Sequence, residues 1–522
     1  MRNLSTLKPN NYKEGQYSSV RLVSLVVIII LQTLGFSLLG SEAEDPSSFK
    51  ELDRWYEVFL SGSKVGHAHC TMKLEGEDVV SQSIFNMKMN RAGISITMSA
   101  LEKTRETRAG KIKSFSGEIK MAGVPITKKG WIEGQEIIVK EKQFLRETEK
   151  RYPLDPEGRM TWGLMKLLQE NGFQEKGHEL ETKIYSADFG MASPTKAKIK
   201  SLGQKIIKIG GEDVNSYKSE ITLFTKMGKM KTINWLDEDG FAIRTKMQMG
   251  GIPIEIKQST ELEAQSRSDQ TNFDFLFQTL LFLDEEIPDG AQSVRFNVKL
   301  NNGQVTPIFH QTRNQKITPL DEKSFIVDVR SELWGKKVNS GQKIKAIGRE
   351  YREANIMIDS EDPLIRNLAK NAAQGSKNML DLSQNLYRFA QKYIHHKNFN
   401  VGFASATETA KSREGDCTEH AVFLAALGRV HGIPTRVANG LVFMESFGNQ
   451  KNVMGFHMWT EFHLNGKWHS LDSAMGKMGD HADRITLSVS SLEQDSLLDI
   501  GIKLSEIIGN INVQVEKVSL RK

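Results

Sequence analysis

Cysteine is scarce in this chain of 522 residues, where it occurs only as Cys70 and Cys417. Exported proteins that depend on disulfides carry a larger set of cysteines, so this composition excludes a disulfide framework and indicates a fold held by its hydrophobic core. The two cysteines fall in separate predicted domains, and we do not expect them to pair. Cys70 is predicted to be a buried strand residue, the commonest place for a lone cysteine.

A strong excess of one charge sign is also lacking. The chain has 70 Lys and Arg against 64 Asp and Glu, a net charge of +6. So small an excess over this length excludes the basic footprint of a nucleic-acid-binding protein. The hydrophobic content of 39% and the charged content of 26% are typical of globular proteins, and the length predicts about three domains.

Long apolar runs are rare too, and only residues 22–39 reach the length needed to span a bilayer. This run follows a basic segment and precedes Ser41-Glu42-Ala43, whose small first and third residues fit a signal-peptide cleavage site. Residues 1–43 are therefore either a cleaved signal peptide or a retained membrane anchor. Because basic residues precede the apolar run, both alternatives predict an extracytoplasmic protein, which is periplasmic, secreted or anchored to the membrane.

Residues 50–260 are predicted to form a mostly antiparallel β domain. Short stretches rich in strand-forming residues alternate with turns, and Asp239-Gly240 is a strong hairpin signal. One helix, around Met160–Glu170 with a stop at Asn171-Gly172, is expected to pack on the sheet. Residues 261–293 are a connector whose apolar half is too short to span a membrane and is expected to pack one domain on the next.

A small β region is predicted at residues 294–356, and beyond it the apolar spacing becomes helical. Residues 357–487 are interpreted as a separate domain of helices followed by strands. The last segment, 488–522, has the alternation of a strand, and it either closes the fold or trails from it as a C-terminal tail. The expected fold class is therefore α+β, with antiparallel sheets first and a helix-containing domain after them.

Cys417 begins the one segment that specifies a chemistry. Residues 418–431 are good helix formers, Gly432-Ile433-Pro434 is a helix stop, and Asp416 is an N-cap residue. Cys417 then lies in the first helical turn, where free backbone N–H groups and the helix dipole favour a thiolate. The alternative is a buried apolar cysteine in a core helix, but the sulfur lies at the polar end of the segment, next to Thr418.

His457 and Asp472 lie on two predicted strands that flank Asn465-Gly466, a favoured two-residue hairpin turn. With this turn as the loop, Asp472 faces Trp459 across the hairpin, and His457 is its diagonal neighbour on the same face. Diagonal neighbours are about 7–8 Å apart, which allows a hydrogen bond between the two side chains. A slip of one residue would place them on opposite faces. Cysteine, histidine and aspartate are the residue types of a nucleophile, a proton carrier and the group that orients the carrier.

Zinc binding is the rival interpretation, because six histidines crowd this region. Cys417 and His420 have the spacing of two zinc ligands. The hairpin register, however, places His463 about 20 Å along the strand from His457 and puts His469 on the opposite face. Four ligands do not converge in this arrangement, so we predict no metal and no cofactor.

Several features in a fixed order resemble the core of the bacterial transglutaminase-like superfamily. They are Gly-Asp-Cys at 415–417 opening a helix, Arg429 and Arg436 around Gly432-Ile433-Pro434, His-x-Trp at 457–459, and Trp468 followed by Leu471-Asp472. The resemblance covers about residues 362–485. It implies a papain-like domain, in which the helix that carries the nucleophile packs on an antiparallel sheet that carries the other two residues.

The resemblance implies Cys417 as nucleophile, His457 as general base and acid, and Asp472 as the residue that orients His457. It also implies an enzyme that acts on amide bonds, in a peptide or in a glutamine side chain, through a thioester that passes to water or to an amine. The expected partner is a peptide or protein substrate of the cell envelope. No acidic loop accompanies the core, so the calcium activation of animal members is not expected. The alternative from another class is a non-catalytic envelope scaffold that uses such a domain for binding.

Overall fold

The computed structural model describes residues 49–91, 94–121, 124–143, 146–171, 174–187, 191, 193–225, 228–249, 251–266, 279–301, 309–333, 347–397, 404–493 and 509–520. The predicted signal peptide or membrane anchor, residues 1–43, lies outside these ranges, as do residues 267–278 of the connector. Within the described ranges, no helix is both long enough and apolar enough to cross a membrane.

In the described part of the chain, residues 52–259 contribute fifteen strands to a single sheet. The strands are β1 (Leu52–Leu60), β2 (Ser63–Glu75), β3 (Asp78–Arg91), β4 (Ile94–Thr107), β5 (Ile112–Met121), β6 (Val124–Glu133), β7 (Glu136–Gln143), β8 (Arg146–Pro153), β9 (Gly158–Arg159), β10 (Glu179–Ile184), β11 (Thr195–Ile209), β12 (Glu212–Thr225), β13 (Gly228–Leu236), β14 (Ala242–Met249) and β15 (Ile252–Ser259).

The order of these strands follows a simple path. β1 lies in the middle of the sheet, between β2 and β15. The chain runs outward to β8 at one edge, then crosses to β9 at the other edge and returns to β15. The neighbouring strands that the structure describes pair antiparallel, apart from β9 with β10. The turn at Asp239-Gly240 joins β13 to β14, with Gly240 at φ +81°, which confirms the predicted hairpin.

One face of the sheet forms the core of this domain. Alternate residues of β1, namely Tyr56, Val58 and Leu60, are buried, as expected for a strand with one face toward the core. Cys70 belongs to the same cluster and is not in a disulfide, which confirms its predicted place, and burial raises its pKa to about 12. The predicted helix is also present as α1 (Thr161–Glu170), which packs on this cluster through its apolar side.

The rest of the described chain contributes further helices and strands, together with a 3₁₀ turn at Arg349–Tyr351. The helices are α2 (Glu261–Gln265), α3 (Pro363–Ala372), α4 (Met379–Tyr393), α5 (Ala406–Ser412) and α6 (Cys417–Val430). The strands are β16 (Leu281–Phe282), β17 (Ala291–Leu300), β18 (Gln315–Pro319), β19 (Ser324–Arg330), β20 (Glu332–Leu333), β21 (His396–Lys397), β22 (Glu414–Gly415), β23 (Thr435–Phe447), β24 (Gln450–Leu464), β25 (Lys467–Asp472), β26 (Lys477–Asp480), β27 (Arg484–Ser490) and β28 (Ile511–Leu520).

These strands form two larger sheets and one short pair. The main sheet has the order β20-β26-β25-β24-β23-β27, with β16 on β24; the small sheet has the order β18-β19-β17-β28; and β21 pairs with β22. The pairing of β28 with β17 decides between the two alternatives for residues 488–522. The described part of this segment closes the small sheet and is not a trailing tail, because its alternating apolar residues are buried against that sheet.

The main sheet is covered by both helices and the small sheet. Helices α3 to α6 bury their apolar sides against one part of it. The small sheet packs on another part, where Phe296 and Phe325 share a cluster with Leu441, Met454 and Ile485. The α+β class predicted from the sequence is therefore confirmed, with a large antiparallel sheet first and a helix-containing domain after it. The domain boundaries themselves stay predictions.

Candidate active site

Cys417 is the first residue of α6, the position that the sequence predicts. Asp416 caps the helix, because its carboxylate accepts a hydrogen bond from the Thr418 N–H at 2.9 Å. Glu419 completes a capping box by accepting the Asp416 N–H, also at 2.9 Å. The thiol is half-buried, whereas the helix behind it is almost wholly buried. The sulfur is therefore partly accessible at the N-terminus of a helix that burial holds in place.

Glu419 lies buried at this helix start, close to Cys417 in the sequence. Burial raises the pKa of Glu419 well above its ordinary value, and the neighbouring Asp416 carboxylate raises it further. A raised pKa weakens the negative charge that Glu419 would otherwise set against the positive end of the helix dipole at Cys417.

Close packing of α6 on the main sheet fixes the position of Cys417. A Cβ at Gly428 would lie 2.7 Å from Thr435 Cγ2 and 2.8 Å from the Phe462 ring, so glycine is the residue that permits this approach. Phe462 belongs to β24, the strand that carries His457. The separation between Cys417 and His457 is therefore set by helix–sheet packing and not by a loop.

His457 and Asp472 occupy neighbouring strands with the predicted register. Asn465 and Gly466 have φ values of +49° and +78°, which is the backbone of the type I′ turn that the Asn-Gly pair favours. The result is a hydrogen bond of 2.9 Å between His457 Nε2 and Asp472 Oδ2. The contact that the sequence predicts between these two side chains is confirmed.

Cys417 also interacts with His457, by charge and through a side-chain hydrogen bond. Asp472 occupies Nε2, which leaves Nδ1 as the ring nitrogen available to the thiol. Burial by itself lowers the pKa of His457, but Asp472 and Cys417 outweigh it and raise the pKa to about 10. His457 is therefore an imidazolium at neutral pH, which is the partner that stabilises a thiolate.

Asp472 is buried and fully supplied with hydrogen bonds. Oδ1 accepts the Met475 N–H at 3.0 Å, and Oδ2 accepts both His457 Nε2 and Arg484 Nη1, the latter at 3.2 Å. Burial alone would raise the pKa of this carboxyl. The charges of His457 and Arg484 and these donors instead hold the pKa well below its usual range, so Asp472 is ionised.

Arg484 is the residue of this site that sequence reasoning missed. It is 3% exposed, its guanidinium lies 5.1 Å from the centre of the Trp459 ring, and the same ring stacks on that of His457 at 6.3 Å and 20°. One signal could have identified it. A charged residue heads an otherwise uncharged strand with alternating apolar residues, Arg-Ile-Thr-Leu-Ser-Val, and a buried arginine requires an acidic partner.

The remaining histidines of this region have other surroundings. His463 packs on Trp468 with ring centres 5.0 Å apart, and His431 Nε2 lies 3.0 Å from the Ala369 carbonyl oxygen. His420 Nδ1 is 3.3 Å from the Ser473 hydroxyl. Among the side chains that the structure describes, no group of three or more His, Cys, Asp and Glu is placed to hold a metal ion.

The three residues of this arrangement lie in a segment that matches a known protein family. Residues 366–473 match the sequence profile of the transglutaminase-like superfamily. The C-terminal domain is transglutaminase-like. The match includes Cys417, His457 and Asp472, and it covers the helices α3 to α6 as well as the hairpin of β24 and β25. No curated protein sequence matches the chain.

Solved structures with some similarity to the chain are remote. A proposed cysteine protease of Cytophaga hutchinsonii is 14% identical, with 44% of this chain and 89% of that one covered and a TM-score of 0.29. A β-barrel-like protein of unknown function from Brucella abortus is 12% identical, with coverage of 40% and 96% and a TM-score of 0.33. A proposed protease of Parabacteroides distasonis is 10% identical, with coverage of 72% and 69% and a TM-score of 0.19. TM-scores this low carry no argument about this chain.

The ion pair between His457 and Asp472 predicts that the stability of the folded protein depends on pH. The folded-state pKa of His457, about 10, exceeds its ordinary value of 6.5, so the contribution to stability is complete below about pH 6.5 and is lost as the pH rises to about 10. We expect the difference in melting temperature between the wild type and His457→Gln to narrow across this interval. Circular dichroism melting curves at a series of pH values measure it, and a constant difference would contradict the assignment.

Proposed function

We propose that this chain is a cysteine-dependent acyl-transfer enzyme that attacks amide bonds of peptides or of glutamine side chains through a thioester on Cys417. One observation carries the proposal: the line of contacts from Cys417 to His457 to Asp472, in which the last two are 2.9 Å apart. A thiolate nucleophile requires an imidazole, and the imidazole requires an acceptor that orients it. The match to the transglutaminase-like superfamily supports the same reaction class.

The first step forms the thioester. The Cys417 thiolate attacks the amide carbonyl carbon, and a C–S bond forms while the carbonyl oxygen takes the negative charge near the Cys417 N–H. His457 starts this step as an acid, since it is protonated at neutral pH. It gives its proton to the leaving nitrogen as the C–N bond breaks. The products are a thioester, a free amine and a neutral His457.

The second step releases the acyl group. Neutral His457 takes a proton from water or from an amine, whose oxygen or nitrogen attacks the thioester carbonyl. The C–S bond breaks, and the thiolate and imidazolium are restored together. Water as acceptor makes the enzyme a peptidase or amidase, and an amine acceptor makes it a crosslinking transferase.

The proposed substrate is a peptide or protein of the cell envelope. Residues 1–43 have the pattern of an export signal or a membrane anchor, and this pattern supports an extracytoplasmic location. Cys417, the attacking residue, is half-buried at a helix end, so a substrate must present its carbonyl at the rim of the domain. An extended peptide or a projecting glutamine side chain meets this requirement.

Alkylation by iodoacetamide tests the proposal, because this chain has only two thiols. Cys70 is 3% exposed, and its pKa is about 12, so labelling of the folded protein reports on Cys417. At about pH 7 we expect labelling at least tenfold faster than that of an ordinary thiol with a pKa near 8.5, and none in Cys417→Ser. Labelling no faster than that of an ordinary thiol would favour the non-catalytic scaffold instead.

A second measurement separates the two acceptors. A panel of peptides, with and without an added primary amine, is incubated with the enzyme and read by mass spectrometry. A free acid as the only product in both samples identifies a hydrolase, whereas an amine adduct identifies an acyltransferase. Cys417→Ser provides the blank for both products.

A further inference from the structure

The contacts that run from Cys417 through His457 to Asp472 continue beyond Asp472. Arg484 lies behind it, with Nη1 3.2 Å from Asp472 Oδ2, the same oxygen that accepts the hydrogen bond from His457. On its other side, Arg484 Nε donates to Asp483 Oδ1 at 3.1 Å. Both carboxylates are buried beside it, so the guanidinium is clamped between two anions.

The charges continue in alternation toward the surface. Lys477 Nζ lies 2.5 Å from Asp483 Oδ2, and the Lys477 side chain is partly exposed. The sequence of charges from the site outward is therefore His457, Asp472, Arg484, Asp483 and Lys477, with neighbours of opposite sign. A buried guanidinium beside two carboxylates favours the ionised form of both, and burial strengthens each attraction.

Trp459 covers this part of the site. Its ring lies over the Arg484 guanidinium and beside the His457 ring, and the side chain itself is 1% exposed. The indole therefore keeps water away from the contacts between Asp472 and its two cationic partners. In the absence of water, the orientation of the carboxylate depends on the protein groups that donate to it.

We propose that Arg484 is a positioning residue of the reaction described above, holding Asp472 ionised and turned toward His457 so that the imidazolium is the resting form. The inference rests on the proposed function. Arg484 acts through Asp472 and does not contact the sulfur. Without it, Asp472 would keep only His457 and the Met475 N–H as partners, and the repulsion from the buried Asp483 carboxylate would no longer be compensated, so the pKa of Asp472 would rise. A carboxylate that is held less firmly stabilises the imidazolium less, and the thiolate of Cys417 is weakened with it.

Few other titratable groups act on these charges. Tyr387 of α4 faces Asp472, but burial and that carboxylate raise its pKa to about 12, so it stays neutral. His481 is affected by Arg484, and burial lowers its pKa, so it is neutral above about pH 6.5. Neither Tyr387 nor His481 therefore changes its charge between pH 6.5 and 9, the range of the test below.

The test is the pH dependence of Cys417 alkylation by iodoacetamide in Arg484→Met, measured with the full chain. In the wild type we expect a rate that changes little from about pH 6.5 to 8, because the proposal requires the His457 imidazolium to hold Cys417 as a thiolate in this range. In Arg484→Met the rising limb should move up by about two pH units, to a midpoint near pH 7.5, so the rate at pH 6.5 falls about tenfold. Arg484→Lys, which keeps the charge, should recover most of the rate.

Arg436 provides a matched control. It too pairs with a buried carboxylate, Glu461, at 2.6 Å and lies over a tryptophan, Trp468, at 4.2 Å. Arg436→Met removes the same chemical arrangement without touching Asp472. We expect it to lower the melting temperature as Arg484→Met does, and to leave the alkylation profile unchanged.

The outcomes separate the inference from the function on which it rests. An unchanged profile in a folded Arg484→Met would overturn the positioning role, because a purely structural residue moves the melting temperature alone. If Arg484→Met does not fold, Arg484→Gln takes its place, since it removes the charge but keeps an N–H donor, and the same shift is expected. Ordinary reactivity of Cys417 in the wild type would overturn the proposed function itself, and the positioning role with it.

Discussion

Replacing His457 with alanine is expected to lower kcat/KM for amide substrates by about 10⁴-fold or more, because both steps need a proton moved at the reacting atoms. The first step loses the acid that protonates the leaving nitrogen. The second loses the base that activates water or the amine. The measurement is steady-state turnover of a peptide found in the product screen, together with the alkylation rate of Cys417, which should fall to that of an ordinary thiol at pH 7.

The leaving group provides an internal check on this expectation. A 4-nitrophenyl ester releases a phenolate that needs no proton, so its acylation step should lose less than the amide reaction in His457→Ala. His463→Ala is the matched control, because His463 lies on the same strand and packs on Trp468 away from Cys417. Equal losses for ester and amide, or a similar loss in His463→Ala, would contradict the role of His457 as proton carrier.

The sequence was sufficient for the parts of the site that depend on local rules. An Asn-Gly turn fixes the pairing of the strands on either side, and the pairing then fixes which side chains share a face. The contact between His457 and Asp472 followed from this rule alone. The helix start at Cys417 was predictable for the same reason, since an N-cap residue and a helix stop mark both ends of α6.

Other parts of the structure could not be predicted, because they depend on long-range packing. The pairing of β28 with β17 joins segments more than 200 residues apart, and an alternating pattern does not state its partner. Arg484 is close to Asp472 in sequence, but the carboxylate reaches it only because β27 lies beside β23 in the main sheet. The raised pKa of Glu419 likewise depends on complete burial, which a capping box on a surface helix would not have.

The replacement of Asp472 with asparagine is expected to affect both activity and stability strongly. A neutral amide cannot balance the positive charge of the imidazolium, so we expect His457 to lose its proton at neutral pH. As a result, kcat/KM should fall by about 10³- to 10⁴-fold. Arg484 also loses one of its two buried carboxylates. Breaking a buried charge pair by removing one partner costs about 3–5 kcal/mol, which urea denaturation at pH 7 measures.

The double variant Asp472→Asn/Arg484→Met distinguishes the two effects. If the loss of stability arises from a buried guanidinium without its partner, then Arg484→Met should cost less in the Asp472→Asn background than in the wild type, with a coupling energy of about 0.5–3 kcal/mol. Activity should not return, since the imidazolium still lacks its acceptor. Strictly additive losses of stability would mean that Asp472 and Arg484 act independently. The contact between them would then contribute nothing to the free energy of unfolding.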